Sequence, residues 1–420
     1  MKRLAFRIAV AILTFFLGVV STKVSHHKER LNSISTIKQS FPITEIKPQP
    51  ATLPQTTNRV ISDRLRKIGA LPETLDESDF VSLQFIDEEQ GWLVQGRKLW
   101  RTTNGGRSWK VVFTSNVRIG GRDGSISNFQ FINAHTGWLI STYKMYKTED
   151  GGNTWNVLNQ PIPYNYDDGL PVGIINFKFL KDGKRGWVLG DEYRPITRKE
   201  RKLGFYPYTR YASIDDKKVL ASLIYYTDDG GHSWSRQHIV SNWYDLGDIY
   251  ALDEKHAWAV GLAGVSYLQN GRWMPVKSDA VDDKGYPLVN SLDVAIGAPT
   301  DSPCSVYFIN PRVGWIVNSN GYIGKSVDGG RTWSDVSSDT GGDEISMSRW
   351  GDEVYFTNSA EGWQLDRDGK LKTTTDGGVS WTKVEDNITF SDMFFLDAQH
   401  GWAVSKEGLY RIILKKQARL

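Results

Sequence analysis

A tryptophan recurs seven times along the chain, at Trp92, Trp138, Trp187, Trp258, Trp315, Trp363 and Trp402, preceded by Gly in six copies and by Ala in one. The intervals are 46, 49, 71, 57, 48 and 39 residues. About ten residues before each lies a short aromatic segment, at 83–87, 129–133, 177–180, 249–253, 306–310, 354–358 and 393–397. After the tryptophan comes a further apolar run, then a turn spelled Ser/Thr, any residue, Asp/Asn, Gly, Gly, any residue, Ser/Thr, Trp. Clear copies occupy 102–109, 148–155, 227–234, 326–333 and 374–381. The spelling has a chemical cause: Asp or Asn accepts backbone N–H groups, and Gly supplies the positive φ that a tight return needs. The closing tryptophan then buries a large ring between neighbouring sheets.

A repeat of about 48 residues with four short strands matches a propeller blade. Helical solenoids need segments of 3.6-residue period, and none is present. The expected fold class is therefore all-β: a seven-bladed β-propeller with four-stranded antiparallel blades beginning near residues 81, 127, 174, 247, 304, 353 and 391. Forty glycines beside sixteen tryptophans fit that reading, since glycine serves turns and tryptophan serves packing. The seventh unit ends with no Asp-Gly-Gly turn and no closing tryptophan. Its sheet is one strand short, and a segment before Asp79 is expected to fill the edge, with 58–62 a candidate strand.

Residues 1–21 read as a signal peptide or signal anchor: Lys2 and Arg3 precede an apolar run from Leu4 to Val20 broken only by Arg7. Cleavage and anchoring both remain open. No cysteine follows the run, so a lipid-modified cysteine is excluded. Cys304 is the only cysteine, which leaves no internal disulfide. Residues 22–79 form a polar linker rich in Pro, Ser and Thr, and the repeats fill 80–414. The expected location is exported: periplasmic, thylakoid-lumenal or extracellular, with residues 4–20 as a membrane anchor if uncleaved. A net charge of +3 gives no general reason to expect nucleic acid.

The turns resemble the Asp-box, or BNR, repeat, seen in Thr148-Glu149-Asp150-Gly151-Gly152-Asn153-Thr154-Trp155. The longer unit, an aromatic strand followed by Gly-Trp and then Asp-Gly-Gly-x-Thr/Ser-Trp, resembles the photosystem II stability and assembly factor family of BNR-like propellers over about residues 80–414. The resemblance implies a non-enzymatic, exported scaffold that holds a membrane-protein subunit during complex assembly, and the chain is expected to be a monomer. The chain departs from the pattern where 268–273 replaces the Asp-box of blade four, where 191–222 is inserted in blade three, and where a longer stretch, 274–303, precedes blade five.

Asn104, Asp150, Asp229, Asp328 and Asp376, with Trp109, Trp155, Trp234, Trp333 and Trp381, are assigned structural roles. One such set per blade spreads the carboxylates around a ring, whereas a catalytic pair must converge. The partner-binding candidates are Arg194, Arg198, Lys199, Arg201, Lys202 and Arg210, six cations against Glu200 alone between 194 and 210. Tyr193, Phe205, Tyr206, Tyr208 and Tyr211 are interleaved with them, offering ring faces beside charge. Arg118 and Arg122, entering blade two, are candidates for the same basic surface. No metal spacing, phosphate loop or cofactor motif occurs among the histidines and glycines. A carbohydrate- or peptide-binding propeller is the alternative reading. A sialidase-like hydrolase is the enzymatic rival, and its Arg-Ile-Pro segment is missing from the sequence.

Overall fold

The computed structural model describes residues 64–75, 81–116, 118–119, 122–142, 144–162, 173–195, 218–240, 246–261, 264–276, 303–318, 323–337, 353–366, 368–385 and 387–413. Among them lie seven four-stranded antiparallel sheets and one two-stranded ribbon, Arg118–Ile119 with Arg122–Asp123. The seven sheets are the blades of a β-propeller. Their inner strands are Val81–Phe85, Ile126–Phe131, Gly173–Phe179, Leu246–Ala251, Pro303–Phe308, Glu353–Phe356 and Phe390–Asp397. Six blades take their four strands in chain order. The seventh runs Phe390–Asp397, His400–Ser405, Gly408–Ile412 and then Leu65–Gly69, which pairs antiparallel with Gly408–Ile412. The ring is closed by a strand from the other end of the chain. Residues 58–62 lie outside the described residues.

Each inner strand runs buried, half-buried, buried over the three positions that end at the residue facing the recurrent Gly or Ala, as a strand wedged between two neighbouring sheets must. Its buried aromatic residue explains the recurrent glycine. Phe85 pairs across the ladder with Gly91, and a Cβ at Gly91 would stand 2.6 Å from the Phe85 ring. The same contact would be 2.5 Å at Gly137 on Phe131 and 2.4 Å at Gly314 on Phe308. The ring lies flat over the glycine, so a side chain there collides. In blade four the aromatic residue is replaced by Ala251, and its ladder partner is Ala257, the single exception to Gly-Trp. Where the ring is gone, the methyl returns.

The following tryptophan is stacked on the aromatic residue of the next blade. Trp92 meets Phe131 at 3.7 Å, Trp138 meets Phe179 at 3.9 Å, Trp258 meets Phe308 at 3.5 Å, and Trp315 meets Phe356 at 3.6 Å. Trp402 of blade seven closes the circle on Phe85 of blade one at 4.1 Å. Opposite the stacked ring, cations approach the tryptophans: Arg101 at 5.4 Å from Trp92, Lys325 at 5.1 Å from Trp315, and Arg411 at 4.2 Å from Trp402. Each Asp-box tryptophan then meets the same phenylalanine edge-on, as Trp155 does Phe131 at 6.0 Å.

Two changes test these seams by thermal unfolding. Gly314→Ala drives a methyl into Phe308 and is expected to cost about 1–3 kcal/mol, whereas Ala257→Gly costs under about 1 kcal/mol. Deleting residues 64–75 leaves the last sheet with three strands and is expected to abolish the single cooperative transition; a truncated chain that melts like the full one would contradict closure by this strand.

Candidate functional site

The antiparallel order of the blades gives the disc two unlike ends. At one end lie the turns from first to second strand and from third to fourth, including every Asp-box. At the other lie the connections between blades and the turns from second to third strand. The Asp-box end is uniform. In blade two, Gly152 N–H donates to Thr148 Oγ1 at 2.9 Å, Thr154 N–H to Asp150 Oδ1 at 2.9 Å, and Thr154 Oγ1–H to Asp150 Oδ2 at 2.6 Å. The same set recurs around Asp229, Asp328 and Asp376. In blade one Asn104 accepts from Ser108 N–H at 2.9 Å and donates its amide to Ser108 Oγ at 2.8 Å. These side chains have their hydrogen bonds within their own turns. The hydroxyl of Thr154 and the backbone beside it hold the Asp150 carboxyl down at about 2, and the Ser380 hydroxyl does the same for Asp376, also at about 2. Among the described residues no group of three or more His, Cys, Asp or Glu side chains could hold a metal ion.

The turn also serves the neighbouring seam. The indole N–H groups of Trp138, Trp258 and Trp315 donate to the carbonyls of Gly230, Gly329 and Gly377 in the next blade, at 3.2, 2.8 and 3.1 Å. Blade four has a two-residue Asn270-Gly271 turn in place of an Asp-box, with both residues at positive φ. The acceptor there is Gln237 Oε1, which takes the N–H groups of Trp187 at 3.1 Å and Trp273 at 3.2 Å.

The opposite end is irregular. The second and third strands of blade three, Gly186–Pro195 and Lys218–Thr227, are ten residues each and pair out to Pro195↔Lys218. The hairpin root is tied down: Ser222 Oγ–H donates to Asp191 Oδ1 at 2.6 Å, and Leu246 N–H of blade four donates to Ser222 Oγ at 3.0 Å. The connection from Pro275 to Pro303 leaves from this same end. Between blades one and two, Arg97 donates to Ser115 O at 2.6 Å and Ser141 Oγ–H donates to Ser115 Oγ at 2.7 Å, fixing the base from which the Arg118–Asp123 ribbon departs. Arg118 and Arg122 are thus placed on that ribbon, and Arg194 stands near the hairpin's far end opposite Val219. Arg198, Lys199, Arg201, Lys202 and Arg210 lie outside the described residues. The topology brings the Arg118–Asp123 ribbon and the described part of the blade-three hairpin out at one end of the disc, which spacing alone did not reveal.

Around the axis, sequence reasoning missed a tier of half-buried side chains at the position immediately before the residue that faces the recurrent Gly or Ala in each inner strand: Gln84, Gln130, Lys178, Tyr250, Tyr307, Tyr355 and Phe394. Gln84 joins blade one to blade two by donating to Phe131 O and accepting from Phe131 N–H, both at 2.7 Å. Gln130 repeats this on Phe179. Lys178 Nζ sits 5.4 Å over Tyr250, and Tyr250, Tyr307 and Tyr355 follow with ring centres 5.4 and 5.2 Å apart. Two positions earlier, Asp248 accepts from Val306 N–H at 3.0 Å and Asn176 Nδ2–H at 3.2 Å. Lys178 and Asp248 keep some surface toward the axis yet are hemmed in elsewhere, so burial lowers the Lys178 ammonium and raises the Asp248 carboxyl. Burial raises the Tyr250 and Tyr307 phenols as well, the opposite of what an ionised nucleophile requires. The signal that could have found this tier was the run Gln, Gln, Lys, Tyr, Tyr, Tyr, Phe at one repeat position.

Residues 290–391 match the family model of the photosynthesis system II assembly factor YCF48. No curated protein matches. Among solved structures, YCF48 bound to a D1 peptide is similar over 83% of this chain and 100% of its own, at 18% identity and a TM-score of 0.49. YCF48 from Cyanidioschyzon merolae covers 83% and 98%, at 17% identity and 0.47. A streptogramin B lyase covers 84% and 97%, at 13% identity and 0.51. That last likeness is one of fold.

The Asp-box carboxyls are held below the value near 4 that they take in an unfolded chain, so their contribution to stability is complete above about pH 4 and is lost as pH falls toward about 2. Asp376→Ala should therefore lower the melting midpoint by a few degrees at pH 7. Asp376→Asn should lower it less, since Asn104 shows that an amide can satisfy the same turn. Equal losses in the two variants would contradict the hydrogen-bonding role.

Proposed function

We propose that this chain is an exported, non-enzymatic binding scaffold whose irregular end holds a protein partner, a membrane-protein subunit awaiting assembly into its complex. The observation that carries the binding role is the inequality of the two ends. One is spent on turns whose polar groups are satisfied internally, while the other carries the long hairpin and the connections, on sheets rigid enough to position them. Support for the partner class comes from the family match across blades five and six, which names a photosystem II assembly factor.

The basic residues supply a chemistry for recognition. Arg194, Arg198, Lys199, Arg201, Lys202 and Arg210, with Arg118 and Arg122 leaving the same end, offer guanidinium forks and ammonium groups to acidic segments of the partner. Such charges act on encounter and orientation more than on raw affinity, so the complex should weaken with added salt. Residues 4–20 would keep the propeller beside the membrane where its partner is inserted. No helix among the described residues is long and apolar enough to cross a membrane, and residues 4–20 lie outside them.

The half-ring of Tyr250, Tyr307 and Tyr355 favours a second reading, in which a peptide or sugar is bound at the axis. The two readings separate by mutation. Reversing Arg198, Lys199, Arg201 and Lys202 to Glu is expected to lower recovery of the partner from detergent-solubilised membranes by about tenfold or more, with thermal unfolding unchanged. Undiminished recovery would reject the basic hairpin, and loss of recovery on Tyr307→Ala instead would favour the axis.

A further inference from the structure

Three asparagine–glycine steps occur in the sequence, at Asn104-Gly105, Asn270-Gly271 and Asn320-Gly321. The step has a chemistry of its own. Glycine has no Cβ, so its backbone nitrogen can approach the side-chain amide carbon of the asparagine before it, and attack there closes a ring and expels ammonia. Asn320-Gly321 lies outside the described residues. The other two stand in opposite surroundings, one inside the Asp-box of blade one and the other at the tip of the last hairpin of blade four.

In blade one the reacting groups are engaged. Gly105 N–H, the attacking nitrogen, donates to Glu89 O at 2.8 Å. Asn104 Oδ1 accepts from Ser108 N–H at 2.9 Å and from Thr102 Oγ1–H at 3.0 Å, and its Nδ2 donates to Ser108 Oγ at 2.8 Å. The aspartate boxes hold their Asp-Gly steps in the same way: the N–H groups of Gly151, Gly230, Gly329 and Gly377 donate to the carbonyls of His135, Lys184, Arg312 and Ala360 at 2.8, 2.7, 2.9 and 2.7 Å. Blade four, which has no Asp-box, differs. Asn270 and Gly271 are both exposed, at φ of 52° and 74°. Among the described residues, neither the Asn270 amide nor Gly271 N–H has a hydrogen-bond partner. Beyond its chain neighbours, nothing lies within 4 Å of the place where a Gly271 Cβ would stand. The turn is held only by the pairing of Gln269 with Arg272, at the start of the strand on the outer edge of the sheet. Rotation about the Asn270 backbone is opposed by that pairing alone, whereas the same rotation at Asn104 must break hydrogen bonds on both reacting groups.

We propose that Asn270 is a spontaneous modification site, converted by its own backbone and water to aspartate and isoaspartate at the tip of blade four. The Gly271 nitrogen bonds to Asn270 Cγ and gives up its proton, the Cγ–Nδ2 bond breaks, and ammonia leaves with that proton. Water then opens the succinimide. Addition at Cγ restores the main chain and leaves aspartate, whereas addition at the backbone carbonyl routes the main chain through Cβ and Cγ and leaves isoaspartate. Nothing is oxidised or reduced. Aspartate keeps the turn, since it tolerates the left-handed region. Isoaspartate lengthens a two-residue turn by one main-chain carbon, so Gln269 and Arg272 lose their register. The next residue on that strand is Trp273, 4% exposed, whose indole N–H shares Gln237 Oε1 with Trp187. A change at an exposed tip thus reaches the packing of blade four.

The test ages the purified full chain in mildly alkaline buffer and follows each site by mass-spectrometric peptide mapping, with isoaspartate scored by an isoaspartyl methyltransferase and labelled S-adenosylmethionine. In the folded protein Asn270 is expected to convert at least about tenfold faster than Asn104, the factor set by one or two net hydrogen bonds at the reacting groups of blade one. In urea, where those bonds are gone, the two sites should convert at similar rates. Equal rates in the folded chain overturn the proposal, as does a difference that is just as large in urea, since flanking sequence and not the fold would then set it. The isoaspartyl fraction, separated from aged protein by ion exchange, should melt a few degrees lower than fresh protein, while Asn270→Asp melts with the unaltered chain. An isoaspartyl fraction that melts unchanged overturns the link from the tip to the packing of blade four.

Discussion

The structure depends on one contact repeated around a circle: a tryptophan from the second strand of a blade lies flat on the phenylalanine of the next blade's first strand. Trp258 and Phe308 are 3.5 Å apart and within 7° of parallel, and four other seams repeat the arrangement. Aromatic pairs contribute on the order of 1 kcal/mol beyond their buried area. That is modest for one pair but is collected at each such seam. The stack also dictates its neighbours. The phenylalanine must lie over a residue with no Cβ, the indole N–H groups of Trp138, Trp258 and Trp315 reach acceptors in the next blade, and the free face of the indole accepts a cation. Glycine, the Asp-box carbonyl and Arg101, Lys147 or Arg411 answer these demands in turn.

Blade four shows that the demands are linked. With Ala251 in place of phenylalanine, the stacked partner of Trp187 is lost, and Trp273 fills the space edge-on with ring centres 6.5 Å apart at 90°. The Asp-box is lost with it, and Gln237 supplies the acceptor that a turn carbonyl supplies elsewhere. The methyl of Ala257 occupies the room the ring vacated. Three departures from the repeat, far apart in sequence, are one change in packing.

The same economy separates the two ends of the disc. Short turns with internally satisfied polar groups leave little for a partner to bind, whereas the ten-residue hairpin strands and the connections between blades project from roots buried between sheets. On the function proposed above, the segments that would recognise a partner lie away from the residues that set stability. Loops can then change while the seams stay fixed.

Strand count, blade count and turn chemistry were legible in the sequence because they rest on local rules. Alternating burial needs a period of two, the Asp-box closes within five residues, and Gly-Gly supplies positive φ where it is required. The charge of the blade-three insertion was equally plain. Other features were decided only when residues far apart in sequence met: that Leu65–Gly69 closes the ring, that Gly91 exists for Phe85, and that Arg118 and Arg194 leave from one end. Leu83 and Asp392 are 309 positions apart, and no local preference of either encodes their contact. A repeat fixes what each blade is, since its turns and strands form within a few residues. Which side chains share a seam is fixed by closure, because only a complete ring brings the first blade against the last.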